Sequence, residues 1–186
     1  MRPIYQLLLL CVATAASAQD QASPKLSSTP LTADQIAVYR AFLRDYQSGS
    51  KTALHVANIT GPLQPDDGDY SGCMKAFPKG IAANEVHLLP TGLAPNIDLV
   101  DPSKYKHADV GDFMHDPGDL DRAVDSAIAA GLMSLSEVIL DKSRHFAAVN
   151  FSFICGKLCG HGGTVIFELR TGKWRRSKLS CGSWQS

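Results

Sequence analysis

The sequence predicts an α+β domain: a C-terminal four-stranded antiparallel meander packed with an N-terminal helix and a second helix near residues 117–130. Three observations predict it. A helix-start signature opens at Thr32, another at Asp116-Pro117, and from Leu135 to Cys181 short apolar runs are separated by tight turns.

The first helix begins at Thr32-Ala-Asp-Gln35, a capping box. The Thr hydroxyl accepts from the Gln35 amide, and the Gln side chain reaches back to Thr32. Ile36, Tyr39, Leu43 and Tyr46 then share one face, and Gly49 suits the stop after about Gln47. Lys51 to Ile59 reads as a strand through Ala53, Leu54, Val56 and Ile59, and Gly61 to Gly72 as a turn-rich loop. From Cys73 to Pro117 the apolar runs are short and broken by Pro78, Pro90, Pro95 and Pro102, which predicts short strands and loops. Asp116 as N-cap and Pro117 at the first helical position open the second helix, with Leu120, Ala123, Val124, Ala127 and Ile128 as its apolar stripe. Then come four strands: Leu135 to Leu140, Phe146 to Cys155, Thr164 to Leu169 and Trp174 to Cys181. In the second of these, Ala147, Val149, Phe151, Phe153 and Cys155 alternate with Phe146, Ala148, Asn150, Ser152 and Ile154, so each set takes one face of the sheet. A Gly-rich connection, Gly156 to Gly163, joins the second and third strands.

Ahead of this domain, Arg2, the apolar run to Ala15 and the small-x-small triplet Ala16-Ser-Ala18 predict a cleavable signal peptide over residues 1–18. The run is too short to span a bilayer, and no later segment is long and apolar enough, so no transmembrane segment is expected after cleavage. Cys11 lacks the small preceding residue that lipidation requires, since Leu10 stands there. Residues 19–31, rich in Ser, Pro and Gln, read as a flexible tether, and 32–186 as a single domain with an irregular middle at 73–117. The address is therefore periplasmic or secreted.

The chain has 18 basic and 18 acidic residues. That balance argues against nucleic acid or an anionic membrane as partner. The charges are unevenly spread, however. Acids crowd Asp98 to Asp125, and Arg170, Lys173, Arg175, Arg176 and Lys178 crowd the end. These read as two solvated faces that attract each other, with Arg175, Arg176 and Lys178 as a candidate patch for a polyanion.

In an oxidising compartment the four cysteines of the mature chain read first as disulfides. Cys155 and Cys159 flank a glycine-bearing turn, close enough for a local bridge, which leaves Cys73 for Cys181. The second bridge would close a long loop and contribute about 4–5 kcal/mol on the chain-entropy model. Three connectivities remain formally open. Cys155, Cys159 and His161 also compose a candidate metal set, although Cys-x3-Cys-x-His is an unusual zinc spacing. A thiol-redox site would prefer Cys-x-x-Cys. His107, Asp109, Asp112, His115, Asp116, Asp119 and Asp121 offer ion ligands without an EF-hand pattern, and read first as loop charges and helix-start acids. Asp66-Asp-Gly-Asp69 reads as a turn. The glycines of 156–163 lack the spacing of a phosphate loop, and no Gly-x-Ser-x-Gly elbow or carboxylate pair appears.

Several of these segments resemble an uncharacterised family of exported bacterial proteins. They are Ala37-Val-Tyr-Arg-Ala-Phe-Leu43, Leu135-Ser-Glu-Val-Ile-Leu-Asp141, the run Ala147 to Cys155 with Cys155-Gly-Lys-Leu-Cys159-Gly, Glu168-Leu-Arg-Thr-Gly-Lys-Trp174, and Trp184. The likeness covers the outer parts of the mature chain and not Cys73 to Gly131. The resemblance implies export and a fold, and no reaction. Two functions are thus expected as alternatives. One is an exported, disulfide-stapled, non-catalytic domain without a cofactor, which binds a protein or envelope component through 156–163 and the basic last strand. The other is a metal-binding or thiol-dependent protein that uses Cys155, Cys159 and His161.

Overall fold

In the computed structural model, residues 24–63, 65, 67–78, 85–106, 108–157 and 159–186 are described. The expected signal peptide with Cys11, the first part of the tether, Asp66 and His107 lie outside them. The capping box forms as the sequence dictates. The Thr32 hydroxyl accepts from Gln35 N at 3.3 Å, and Gln35 Oε1 accepts from Thr32 N at 2.9 Å. Helix α1 (Ala33–Tyr46) follows, capped at Gln47, with Gly49 in the left-handed region at φ 87°. Val38, Tyr39, Phe42 and Leu43 are buried on one face.

The other elements, in chain order, are β1 (Lys25–Leu26), β2 (Leu54–Ala57), α2 (Asp67–Ser71), β3 (Glu85–Val86), β4 (Ile97–Val100), α3 (Val110–Phe113), a 3₁₀ turn at Pro117–Asp119, α4 (Leu120–Ala129), β5 (Leu132–Leu135), β6 (Ile139–Leu140), β7 (Phe146–Gly156), β8 (Cys159–Arg170) and β9 (Lys173–Gln185). The main sheet runs β4-β2-β5-β7-β8-β9, with β6 also paired to β7. Strands β5, β7, β8 and β9 are the antiparallel meander. The fold class is therefore α+β, but the sheet is larger than the meander. Strands β2 and β4 add a parallel edge beside β5. Residues 25 and 26, assigned to the tether, instead pair in parallel with Glu85 and Val86. No helix of the described residues is long and apolar enough to cross a membrane.

The alternation in β7 sorts the interior into two clusters. Ala147, Val149, Phe153 and Cys155 join α1, Val165, Phe167 and Trp174 in the larger one. Ala148 and Ile166 face the smaller one, with Met74, Phe77 and Cys73 from the segment after α2. The irregular middle thus covers the sheet face that α1 leaves open. The Cys73–Cys181 disulfide, Cα–Cα 5.4 Å, fastens it there.

Four expectations are corrected. The strand foreseen over Leu135 to Leu140 is two strands, both paired to β7, broken where Glu137 turns into the protein. Its carboxylate accepts from the Thr60 hydroxyl, from His87 N at 3.1 Å and from the His87 ring Nδ1 at 2.9 Å. A buried acid with three donors outweighs one turn of strand ladder. The connection 156–163 is mostly strand: Gly160 to Gly163 pair with β7, and His161 to Gly163 also pair with β9. Its glycines serve close packing. A Cβ on Gly162 would lie 2.4 Å from the Phe151 carbonyl oxygen and 2.6 Å from the Trp184 Nε1. Helix α4 buries Ala123 and Ala127, whereas Leu120 and Ile128 are 51% and 47% exposed. Packing through alanines leaves the larger residues of the stripe at the rim. Finally, among the described residues the basic end forms no ion pair with the acidic stretch. Arg176 meets Asp45 of α1 at 3.1 Å, and Arg170 meets Glu168 at 2.5 Å.

The turn between β6 and β7 shows how a short polar sequence fixes a hairpin. Burial works against charge on Asp141, but hydrogen bonds from Ser143, Phe146 and His145 hold its carboxyl below the ordinary aspartate value. The same carboxylate takes three backbone N–H groups and one hydroxyl, which fixes Arg144 at φ 56° for the turn.

Candidate functional site

Where α1 ends, its last turn meets the glycine-bearing start of β8. The rings of Tyr46 and His161 stack nearly parallel there, with centroids 5.9 Å apart and planes at 11°. The Tyr46 hydroxyl and His161 Nε2 are 3.0 Å apart. Phe151 and Phe153 of β7 close the ring around His161, with centroids at 5.8 and 5.4 Å. Burial pushes the Tyr46 phenol up to about 12, so it stays neutral and serves as a hydrogen-bonding group at any ordinary pH.

The rings of Tyr46, Phe153 and His161 form one wall of an open cavity of about 600 Å³. Gln47, Ser50 and Thr52 continue the wall from the turn after α1. Asp125 and Ile128 contribute from α4, Cys155 and Cys159 from the strand ends, and Gln185 and Ser186 from the chain's last residues. Cys155 and Cys159 are bridged, Cα–Cα 5.0 Å. Ser186 N donates to the Gly160 carbonyl at 2.9 Å and fixes the edge. The Gln47 side-chain oxygen is buried and has no donor among the described residues, while its amide reaches the Thr52 carbonyl at 3.4 Å. Asp125 at the rim has no cationic partner among the described residues. The cavity thus offers an apolar, aromatic body with an acceptor and a carboxylate at defined points. That composition suits a small amphipathic ligand carrying N–H or O–H donors.

The structure thus brings Cys155, Cys159 and His161 together on one wall. With the bridge closed, neither sulfur is a thiolate, so a thiolate–imidazole metal set there requires reduction. Cys73 and Cys181 lie elsewhere. Their sulfurs and an Asp69 oxygen fall within 4.8 Å of one another, a group able to hold a metal if the bridge opens. In the bridged state, Asp69 accepts from Gly182 N at 2.8 Å and holds the last strand. Arg175 and Arg176 line a groove beside α1, and Lys178 faces a separate recess.

The acids of the 107–121 stretch are mostly local. Asp109 and Asp112 cap α3 reciprocally, with Asp112 accepting from Asp109 N at 2.8 Å, and Asp119 pairs with Arg122 at 2.6 Å. Asp116 stands at the helix entry as expected, although its side chain makes no cap hydrogen bond. The pattern of the sequence did not mark Gln47, Asp125 or Ile128 as site residues. Tyr46 was visible only as one more residue of an apolar helix face.

No protein-family model, curated protein or solved structure matches this chain.

Proposed function

We propose that this chain is an exported, disulfide-stapled binding domain that takes a small amphipathic ligand in the cavity between α1, α4 and the start of β8. One observation carries the reading: an aromatic-walled opening of about 600 Å³ lined by Gln47, whose buried Oε1 has no donor among the described residues. An orphaned acceptor costs free energy in the empty domain, and a ligand donor would relieve that cost. Export and the resemblance to exported bacterial proteins belong to the same proposal. They are supported by the leader pattern, by cysteine pairs at bridging distance and by the ready-made scaffold those bridges give a binding site.

The test uses a neutral aromatic amine, N-phenyl-1-naphthylamine, whose fluorescence rises on entering an apolar site. The folded domain is expected to bind it stoichiometrically. Ile128→Asp places a charge on the cavity rim at a half-exposed position that folding tolerates, and should weaken binding about tenfold or more. Equal binding by both proteins, or none by either, overturns the cavity reading.

A second reading is favoured by one fact, that the Cys155–Cys159 bridge lies in the same wall as His161. Reduced, it would present two thiols to a bound molecule. This is the metal-binding or thiol-dependent alternative, and it needs free thiols in the exported protein.

A further inference from the structure

On the far side of α1 from its buried face, a groove of about 710 Å³ runs between the helix and the β8–β9 hairpin. Arg40 and Arg44 rise from the helix, and Lys173, Arg175 and Arg176 from the hairpin. Asp45 is the carboxylate in the groove, and Arg176 already engages it at 3.1 Å. Arg40, Arg44, Lys173 and Arg175 have no carboxylate within pairing distance among the described residues. Arg44 is oriented by its Nε donating to the Arg40 carbonyl at 3.1 Å, which leaves the rest of its guanidinium free.

Surface cations alone mark no site. The floor of the groove supplies the second observation. Trp174 is 7% exposed, and its indole N–H is buried without an acceptor. A buried donor without a partner in the lining of a groove that also carries four cations unpaired among the described residues is an arrangement that an incoming anion would complete.

We propose that this groove binds a phosphate monoester. Such a group carries about −1.5 to −2 charges and three strong acceptor oxygens. Guanidinium forks meet it bidentately, and the indole N–H takes an oxygen from below. A single carboxylate has one charge and two oxygens, and would leave most of the cations uncompensated. The site is distinct from the cavity, which offers acceptors and a carboxylate where the groove offers donors and cations. A neutral dye in the cavity and a phosphate in the groove therefore succeed or fail independently.

The experiment has two arms. Titration calorimetry with phenyl phosphate probes a soluble source. Co-sedimentation with phosphatidylcholine vesicles doped with phosphatidic acid probes a lipid headgroup. Binding in either arm supports the site and identifies the source. Arg40→Gln with Arg175→Gln, both exposed, should weaken it about tenfold or more. Trp174→Phe keeps the ring and removes the donor, and should also weaken it. Lys178→Gln, outside the groove, should leave it unchanged. The proposal fails if neither probe binds at low ionic strength, if the double arginine variant binds as well as the parent, or if Lys178→Gln weakens binding as much as it does.

Discussion

Replacing Cys73 and Cys181 together by serine lowers the stability of the folded domain by about 4–5 kcal/mol, a large part of the about 5–15 kcal/mol typical of a folded domain. The bridge closes a separation of 108 residues, so its loss frees more than half of the chain in the unfolded state. It also lets go of the segment that carries Met74 and Phe77 onto the second sheet face. The Cys155–Cys159 bridge spans 4 residues, and on the same model its removal costs about 2 kcal/mol. Urea unfolding followed by circular dichroism separates the two. Equal losses would show that the long loop is not what the first bridge restrains.

Glu137→Ala should destabilise by about 3 kcal/mol although it touches neither proposed site. Glu137 is 4% exposed. Its removal takes the acceptor of the His87 ring Nδ1, and leaves the Thr60 hydroxyl only the His87 carbonyl at 3.2 Å and His87 N only the Thr60 hydroxyl oxygen at 2.8 Å. The backbone of Glu137 also donates to Gly61 O at 2.7 Å, so this residue joins the end of β2, the segment after β3 and the break between β5 and β6. Glu137→Gln retains one acceptor oxygen and should lose about half as much. The same urea experiment measures both. A loss below about 1 kcal/mol for Ala would mean that water replaces the carboxylate at no cost.

How far the sequence could be read depends on where each signal is stored. The capping box at Thr32 and the alternation along Phe146 to Cys155 are local patterns, and both appear in the fold as written. The two bridges have the pairing that the spacing favoured, although the sequence left three connectivities open. The parallel edge could not be read in that way. Leu54–Ala57 and Ile97–Val100 are four residues each, too short to carry a pattern, and their pairing depends on chain segments that return from elsewhere. Glu137 lay unmarked within the strand read over Leu135 to Leu140, whereas its carboxylate serves residues 50 and 77 positions away. The glycines at 160–163 imitate a loop, because nothing local announces that Trp184 will lie against them. The cavity and the basic groove are tertiary features. The sequence showed Arg175 and Arg176, but Arg40 and Arg44 complete the groove only because α1 lies alongside the last hairpin.

The central claim is an exported domain whose two bridges support its binding sites. The most direct test is peptide mapping of the protein recovered outside the cytoplasm, alkylated in denaturant without reductant, beside a native mass spectrum. The account predicts a chain that begins at Gln19, no alkylated cysteine, Cys73 linked to Cys181, Cys155 linked to Cys159, and no metal adduct. An unprocessed leader, a different pairing, two or more alkylated thiols, or a zinc-sized adduct lost on denaturation would contradict it. The last two results would return Cys155, Cys159 and His161 to the centre of the chemistry.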